Sequence, residues 1–468
     1  MLDSSRDRIS VKMQICVFLL VAGYALVVGV LVQEVIVPKL VGESASNGLL
    51  PVLDTVQFHE LAVDMVGQME IEGWSAWEWD PGWSANQPVG IMAAVYYWLG
   101  PDPIYLLPIN AIIHGLSAVI LLCLFQSVGW SARVSFAGIL PFVFFPSTLT
   151  WVSQFHKDGL YCLGLFSMFL GCVRILSASS WSNRVVGLAC LILGAVAAGA
   201  MRGYGVTVFI VAVVLCGTFV VLCSLLVSRR KRGRELLNLL VFLAGLVLVL
   251  PFAGSKGGTV SSNQENSPEE DAVVAAVDQV NNDQTEVILE EEEVESDIPP
   301  ETPWQTSEWL PGPVDRSFHR LIHNRTIFFW LFSESGSLVD EDQEFRRAED
   351  VMLYFPRAVV IGLLAPFPDV WFGEALTQTG GMQRKVSAVE TALAYVLLAG
   401  CVYGLIRWPG REKIFVVLAS ILLIVALVYP VPAVGSLYRL RFGAFSLLLG
   451  MGAVSIFQAF TIWRLKRQ

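Results

Sequence analysis

Residues 185–234 read VVGLACLILGAVAAGAMRGYGVTVFIVAVVLCGTFVVLCSLLVSRRKRGR. Two apolar runs, 185–201 and 205–227, are separated only by residues 202–204 of the short hairpin MRGYG and closed by Arg229, Arg230, Lys231, Arg232 and Arg234. A helix needs about 20 mainly apolar residues to cross a bilayer, so each run predicts one crossing. The basic run is the strongest positive-inside signal in the chain and places that loop in the cytoplasm. Arg202 and Tyr204, in the hairpin, then face the opposite side.

Similar runs lie on either side of this pair, at 15–37, 104–126, 134–150, 159–176, 236–253, 388–406, 413–429 and 442–463. Together they predict an all-α integral membrane protein of about ten transmembrane helices, with both termini cytoplasmic. The first run follows Arg6, Arg8 and Lys12 but exceeds the usual signal-peptide core of about 7–15 residues, and reads as an anchor. The short inner loops carry Arg133, Arg174, Arg184, Arg407, Arg411, Lys413, Arg464, Lys466 and Arg467, in keeping with that orientation. Two further apolar stretches, 88–99 and 355–372, break the parity if either crosses alone. The first is short and the second is interrupted by Pro366 and Pro368, so both read as interfacial or re-entrant helices on the outer face. The expected organisation is an N-terminal membrane module (1–253) with outer loop 38–103, an acidic insert (254–315), an outer juxtamembrane segment (316–387) and C-terminal membrane helices (388–468).

Composition agrees. The chain is 54% hydrophobic and 15% charged, with mean hydropathy +0.60, against roughly a quarter charged in soluble domains. The net charge of −10 comes from a few acid-rich segments, and nucleic acid is excluded as a partner. All eight cysteines lie in apolar stretches, without a CxxC metal motif or a disulfide framework. Between Lys256 and Arg316 there is no basic residue, but acids such as Glu269, Glu270, Asp271 and the run Glu290 to Glu293. Such a block is expected to be a disordered, solvated insert, with weak cation binding as the alternative. Residues 341–354 mix Glu and Arg at helical spacing, the pattern of a solvated helix face. Walker, GxGxxG, HExxH, GxSxG and EF-hand patterns are absent, and Asn324-Arg325-Thr326 is a chance-level glycosylation triplet.

Four polar clusters fall at outer helix ends: Asp54, His59 and Glu60; His156, Lys157 and Asp158; Arg202 and Tyr204; and Tyr438, Arg439 and Arg441. Any single cation there is explained by anchoring a helix end in the headgroup region. Four of them, Lys157, Arg202, Arg439 and Arg441, run against the positive-inside bias, and facing an acid-bearing loop they suggest an anion bound at the membrane surface. For Asp54 the plain alternative is capping the helix that follows.

The order of features resembles the GT-C superfamily of multi-spanning glycosyltransferases, which includes protein O-mannosyltransferases and aminoarabinose transferases. The resemblance rests on D-x-x-x-F-H-x-L-A from Asp54, on GIMAAVYYWLGPDP, on FFPSTLTWVSQFHKDGLY and on Y-R-x-R-F near the C-terminus. It implies a polyprenyl-phosphate sugar donor, an acceptor glycan, lipid or protein, and a site on the periplasmic or extracellular face of the plasma (inner) membrane. It further implies that Asp54 is the general base, with Glu60 as fallback, and that Lys157, Arg202, Arg439 and Arg441 stabilise the departing phosphate. His59, His156, Asp158, Tyr204 and Tyr438 complete the expected substrate-binding set. No cofactor is expected: Asp54 lacks a second adjacent acid, so a metal-binding carboxylate pair is not supported, and the acidic insert has no counterpart in the family pattern. An envelope-polysaccharide polymerase using diphosphate-linked oligosaccharides is the alternative enzyme. A transporter needs midplane ionisable residues or broken helices, of which the spans offer few, and a scaffold needs no outer cation cluster.

Overall fold

The computed structural model describes residues 9–41, 46–50, 54–79, 87–227, 232–254, 302–333, 337–373 and 378–467. The acidic run 255–301 and the basic residues Arg229 to Lys231 lie outside them. The described residues are helical, with one isolated bridge between Leu338 and Ala433 and no β-strand. In chain order the α-helices of six or more residues are α1 (Val11–Leu31), α2 (Thr55–Glu72), α3 (Gln87–Leu99), α4 (Leu107–Ser127), α5 (Ala132–Phe144), α6 (Pro146–Ser153), α7 (Lys157–Leu176) and α8 (Trp181–Val227). There follow α9 (Arg232–Val249), α10 (Gly312–Leu331), α11 (Ala348–Leu353), α12 (Phe355–Leu364), α13 (Gln378–Arg407), α14 (Arg411–Val428), α15 (Val434–Leu440) and α16 (Phe442–Leu465).

Seven helical stretches among the described residues are long and apolar enough to cross a membrane: Val11–Lys39, Pro103–Ser127, Lys157–Leu176, Trp181–Leu226, Gly233–Phe252, Arg384–Arg407 and Phe442–Leu465. This is the make-up of a multi-pass membrane protein. The fourth holds 46 residues, about 69 Å of helix at 1.5 Å per residue, more than twice the ~30 Å hydrocarbon thickness. Its helical geometry fails at one residue, Arg202 (φ −148°, ψ 78°), in the MRGYG segment. Neighbouring α7 shows what happens there. Along α7, Gly164 meets Gly194 and Ala198 while Gly171 meets Gly187 and Leu191, an antiparallel order; Tyr161 meets Gly205 while Phe169 meets Phe209, a parallel order. The chain therefore reverses at Arg202. Small residues let these backbones approach closely, the usual device for joining helices where lipid removes any hydrophobic gain from association.

The run 134–150 is divided. Phe145 is extended (φ −64°, ψ 140°) ahead of Pro146, so α5 stops at Phe144 and an eight-residue α6 begins, as the restriction on a residue before proline requires. The run 355–372 likewise stops as helix at Leu364, before Pro366. In the stretch 341–354 only Ala348–Leu353 is helical, opened by reciprocal bonds between Arg347 and Asp350, so the helical spacing of its Glu and Arg residues does not extend the helix upstream.

The chain divides into two compact units, Met1–Ser255 with Leu363–Ile424 and Arg439–Gln468, and Lys256–Gly362 with Val425–Tyr438. The core of the first gathers Phe125, Phe142, Phe166, Phe169, Phe209, Phe242, Phe415 and Phe442. A smaller core joins α2 to α3 through Phe58, Ala62, Met65, Met69, Met92 and Tyr96. In the second unit buried Arg325 donates to the carbonyls of Val339 (3.2 Å), Asp340 (3.1 Å) and Val428 (3.4 Å), and lies over Phe329. The Asn324-Arg325-Thr326 triplet is thus inside α10. A polar cleft of 660 Å³ in the same unit is lined by Asp340, Asp342, Gln343, Asp350, Tyr354 and Arg357.

Candidate functional site

Within the first unit, members of all four polar clusters meet at the end of the bundle where α7 starts. Phe155 and His156 are extended or non-helical, and His156 stands at the N-cap of α7 with backbone angles outside the helical region, so Lys157 and Asp158 form the first turn. A carboxylate in that turn is favoured by the helix dipole. Asp158 takes a charge-assisted bond from Arg202 Nη2 at 2.5 Å and lies 3.5 Å from Arg439 Nε. Arg439 Nη2 in turn donates to Asp54 Oδ2 at 2.9 Å. Arg202 Nη1 donates to the Tyr204 hydroxyl at 2.7 Å. The result is a chain of alternating charge, Arg202–Asp158–Arg439–Asp54, contributed by four separate parts of the sequence.

Lys157 supplies a third cation. Its Nζ sits 4.9 Å from the centre of the Phe58 ring and forms no ion pair among the described residues. Three cations therefore face two carboxylates. Arg202 is buried, and its Nε has no hydrogen-bond partner among the described residues. Such a buried donor is costly unless a ligand or water meets it.

The electrostatics follow from burial. Burial alone raises the Asp54 carboxyl, but Arg439, by charge and hydrogen bond, together with His156 and Lys157, outweighs it and holds the group below the usual carboxylate range. Burial pushes the His156 imidazole down to about 4, opposed by Asp158 and reinforced by Arg439. At neutral pH His156 is thus an uncharged imidazole against this network.

The remaining expected residues lie elsewhere. Asp54 occupies the N-cap position of α2 but makes no capping bond; its carboxylate goes to Arg439 instead, which replaces the capping account. His59 and Glu60 do not join it, and this corrects their grouping with Asp54. His59 is buried against α3, its Nδ1 3.0 Å from the Tyr96 hydroxyl and its Nε2 3.4 Å from Asn47 Nδ2, whereas Glu60 is exposed. The helical period explains the split, since five and six residues of 100° each turn both side chains well away from Asp54. Arg441 is only 1% exposed; it donates to the Ala365 carbonyl and lies 4.4 Å over the Phe445 ring. Tyr438 belongs to the second unit. No group of three or more His, Cys, Asp or Glu residues able to hold a metal occurs among the described residues.

One carboxylate near this segment was not singled out from the sequence. Glu390, buried within α13, accepts from Ser147 N (2.8 Å) and Ser147 Oγ (2.7 Å), and so caps α6, the helix that leads into His156. The visible signal was a lone acid in an apolar run, which marks a special role in a membrane helix. No family model matches this chain, and neither the curated proteins nor the solved structures compared with it give a match.

Proposed function

We propose that this chain is a membrane-embedded glycosyltransferase of the GT-C kind, moving a sugar from a polyprenyl-phosphate donor to an acceptor hydroxyl at the non-cytoplasmic face of the inner membrane. On this reading the chain crosses about ten times, with both termini cytoplasmic: the long α8 counts as two crossings, α5 with α6 as one and α14 as one. The observation that carries the reading is the excess of cations in the Arg202–Asp158–Arg439–Asp54 chain with Lys157 beside it. One surplus positive charge matches the single negative charge of a sugar–phosphate–prenyl diester better than the greater charge of a diphosphate-linked donor, which disfavours the polymerase alternative.

The chemistry follows. The donor phosphate takes the open Arg202 Nε, Lys157 and part of Arg439. Arg439, drawn to the phosphate, loosens its hold on Asp54, and the carboxylate regains the basicity that the ion pair suppresses. Asp54 then accepts the acceptor's hydroxyl proton as the oxygen attacks the anomeric carbon. The bond from that carbon to the phosphate oxygen breaks, and polyprenyl phosphate leaves with its charge held by the arginines. General-base catalysis is worth about 10²–10⁴-fold, and preorganised charge at the leaving group supplies much of the rest.

Transfer from a radiolabelled polyprenyl-phosphate sugar in membranes tests this. Asp54→Asn should cut transfer by about 10²-fold or more while donor still binds, whereas Glu60→Gln should be silent. The double variant Arg202→Ala/Arg439→Ala should lose donor binding. Full activity in Asp54→Asn removes the general base, and undiminished donor binding in the double variant removes the phosphate site.

A further inference from the structure

Asp54 and the Lys157–Asp158 turn come from segments about a hundred residues apart in sequence, and something must set their separation. One wholly buried side chain stands between them. Gln154 Nε2 donates to Gly48 O (3.2 Å), and its Oε1 accepts from Leu50 N (3.3 Å) and from Thr55 Oγ1 (3.4 Å). It thereby grips the Asp54 segment on both sides of that residue, from a position four residues before Asp158. Its own backbone is fixed as well: Asn110 Nδ2 of α4 donates to Gln154 O at 2.9 Å and reaches Val152 O at 3.5 Å. The gripped segment has little freedom on its far side, where Gly48 adopts φ +73° and any Cβ there would strike Gln33. Glu390 holds the other end of α6 through Ser147.

We infer that Gln154 is a positioning residue of this site, an amide brace that fixes Asp54 against Lys157 and Asp158. A side chain with both amide ends engaged, buried without a charge of its own, is a specific device: a polar group in that place is tolerated only when fully bonded. Its hydrogen bonds reach neither the substrate groups nor the charged chain directly. It acts by distance. Misplacement of reacting groups by about 1 Å costs up to ~10²-fold in rate, so a brace of this kind shows itself in kcat more than in donor affinity.

The inference rests on the transferase reading, and its test separates the two. Gln154→Met keeps the volume and removes every side-chain bond; Thr55→Val removes only the bond to Gln154 Oε1, and Thr55→Ser restores a hydroxyl. The full chain in nanodiscs is assayed for transfer, and separately its carboxyls are labelled with carbodiimide and glycine ethyl ester and read by mass spectrometry, with exposed Asp64 on α2 as internal reference. Gln154→Met and Thr55→Val should lower kcat about tenfold or more with donor KM within about twofold, and Thr55→Ser should return close to wild type. Asp158, buried in the wild type, should label faster in Gln154→Met. Unchanged Asp158 labelling in that variant overturns the inference whatever the activity, as does unchanged kcat in both Gln154→Met and Thr55→Val. If Asp54→Asn is fully active while Gln154→Met still exposes Asp158, the transferase reading falls and the brace itself stands.

Discussion

Asp158→Asn and Asp54→Asn remove one negative charge each from the same network, yet they should fail in different ways. Asp158 and Arg202 are 5% and 8% exposed and meet at 2.5 Å. Removing one partner of a buried pair strands the other, at a cost of about 3–5 kcal/mol. Asparagine keeps an acceptor for Arg202 Nη2, which puts the expected loss near the lower end, about 3 kcal/mol. Asp54 and Arg439 are 39% and 25% exposed; solvent screens them, and their pair is worth about 1 kcal/mol or less. Asp158→Asn is therefore predicted to lower the apparent unfolding midpoint in detergent clearly, and Asp54→Asn to leave it close to wild type while cutting transfer by about 10²-fold or more. The reasoning has a second handle, since replacing both members of a buried pair by groups of similar volume is often neutral or better. Asp158→Asn/Arg202→Met should be more stable than Asp158→Asn alone, though incapable of holding the donor. Fluorescence-detected chromatography after heating ranks the variants. Equal destabilisation by Asp54→Asn and Asp158→Asn, or a double variant no better than the single, refutes the assignment of the buried pair.

Protonation of His156 should be linked to folding. Its folded-state value near 4, set first by burial, lies below the ordinary 6.5, so the neutral form is favoured on folding; the contribution is fully present above about pH 6.5 and is lost as pH falls towards 4, about 3 kcal/mol in all. The midpoint at pH 4.5 relative to 7.5 should fall less in His156→Gln than in wild type, and equal acid sensitivity of the two contradicts the burial account. Orientation is open to direct measurement: in a cysteine-free background and intact cells, an impermeant thiol reagent should label Val280→Cys but not Arg232→Cys, and the reverse pattern inverts the topology.

The helices were legible because the solvent imposes them: in lipid every backbone group must be bonded within its own helix, so apolar runs and their polar breaks translate directly into elements. The hairpin at Arg202 and the stop before Pro366 follow from local chemistry in the same way. The break at Phe145 does not stand out, because Pro146 lies inside a run whose hydropathy is continuous, and only the restriction on the residue before it divides α5 from α6. Charge at helix ends was equally visible, and Asp54, Lys157, Asp158, Arg202 and Arg439 do converge. Proximity in sequence misled for His59 and Glu60, where helical periodicity outweighs a separation of five or six residues. Glu390 carried the signal of a lone acid in an apolar run, but Gln154 gave little. A glutamine in an amphipathic loop reads as solvated, and its role exists only once residues 48–55 are folded against it.

The charged chain has an internal tension that bears on why it exists. Buried ion pairs add little net stability, and apolar replacements commonly do as well; a membrane bundle has abundant apolar side chains with which to fill this place. Keeping Asp158 beside Arg202 and Arg439 therefore calls for a reason other than holding helices together. On the proposed reading the carboxylates keep the arginines extended and paired when no donor is present, which spares the protein an uncompensated cluster of cations near the bilayer. Phosphate then enters by exchange, taking bonds that already point inward, so that little side-chain ordering remains to be done on binding. The same exchange releases Asp54 at the moment a base is required. A more strongly basic carboxylate, free of Arg439, would gain basicity at rest but lose this coupling between donor arrival and proton acceptance.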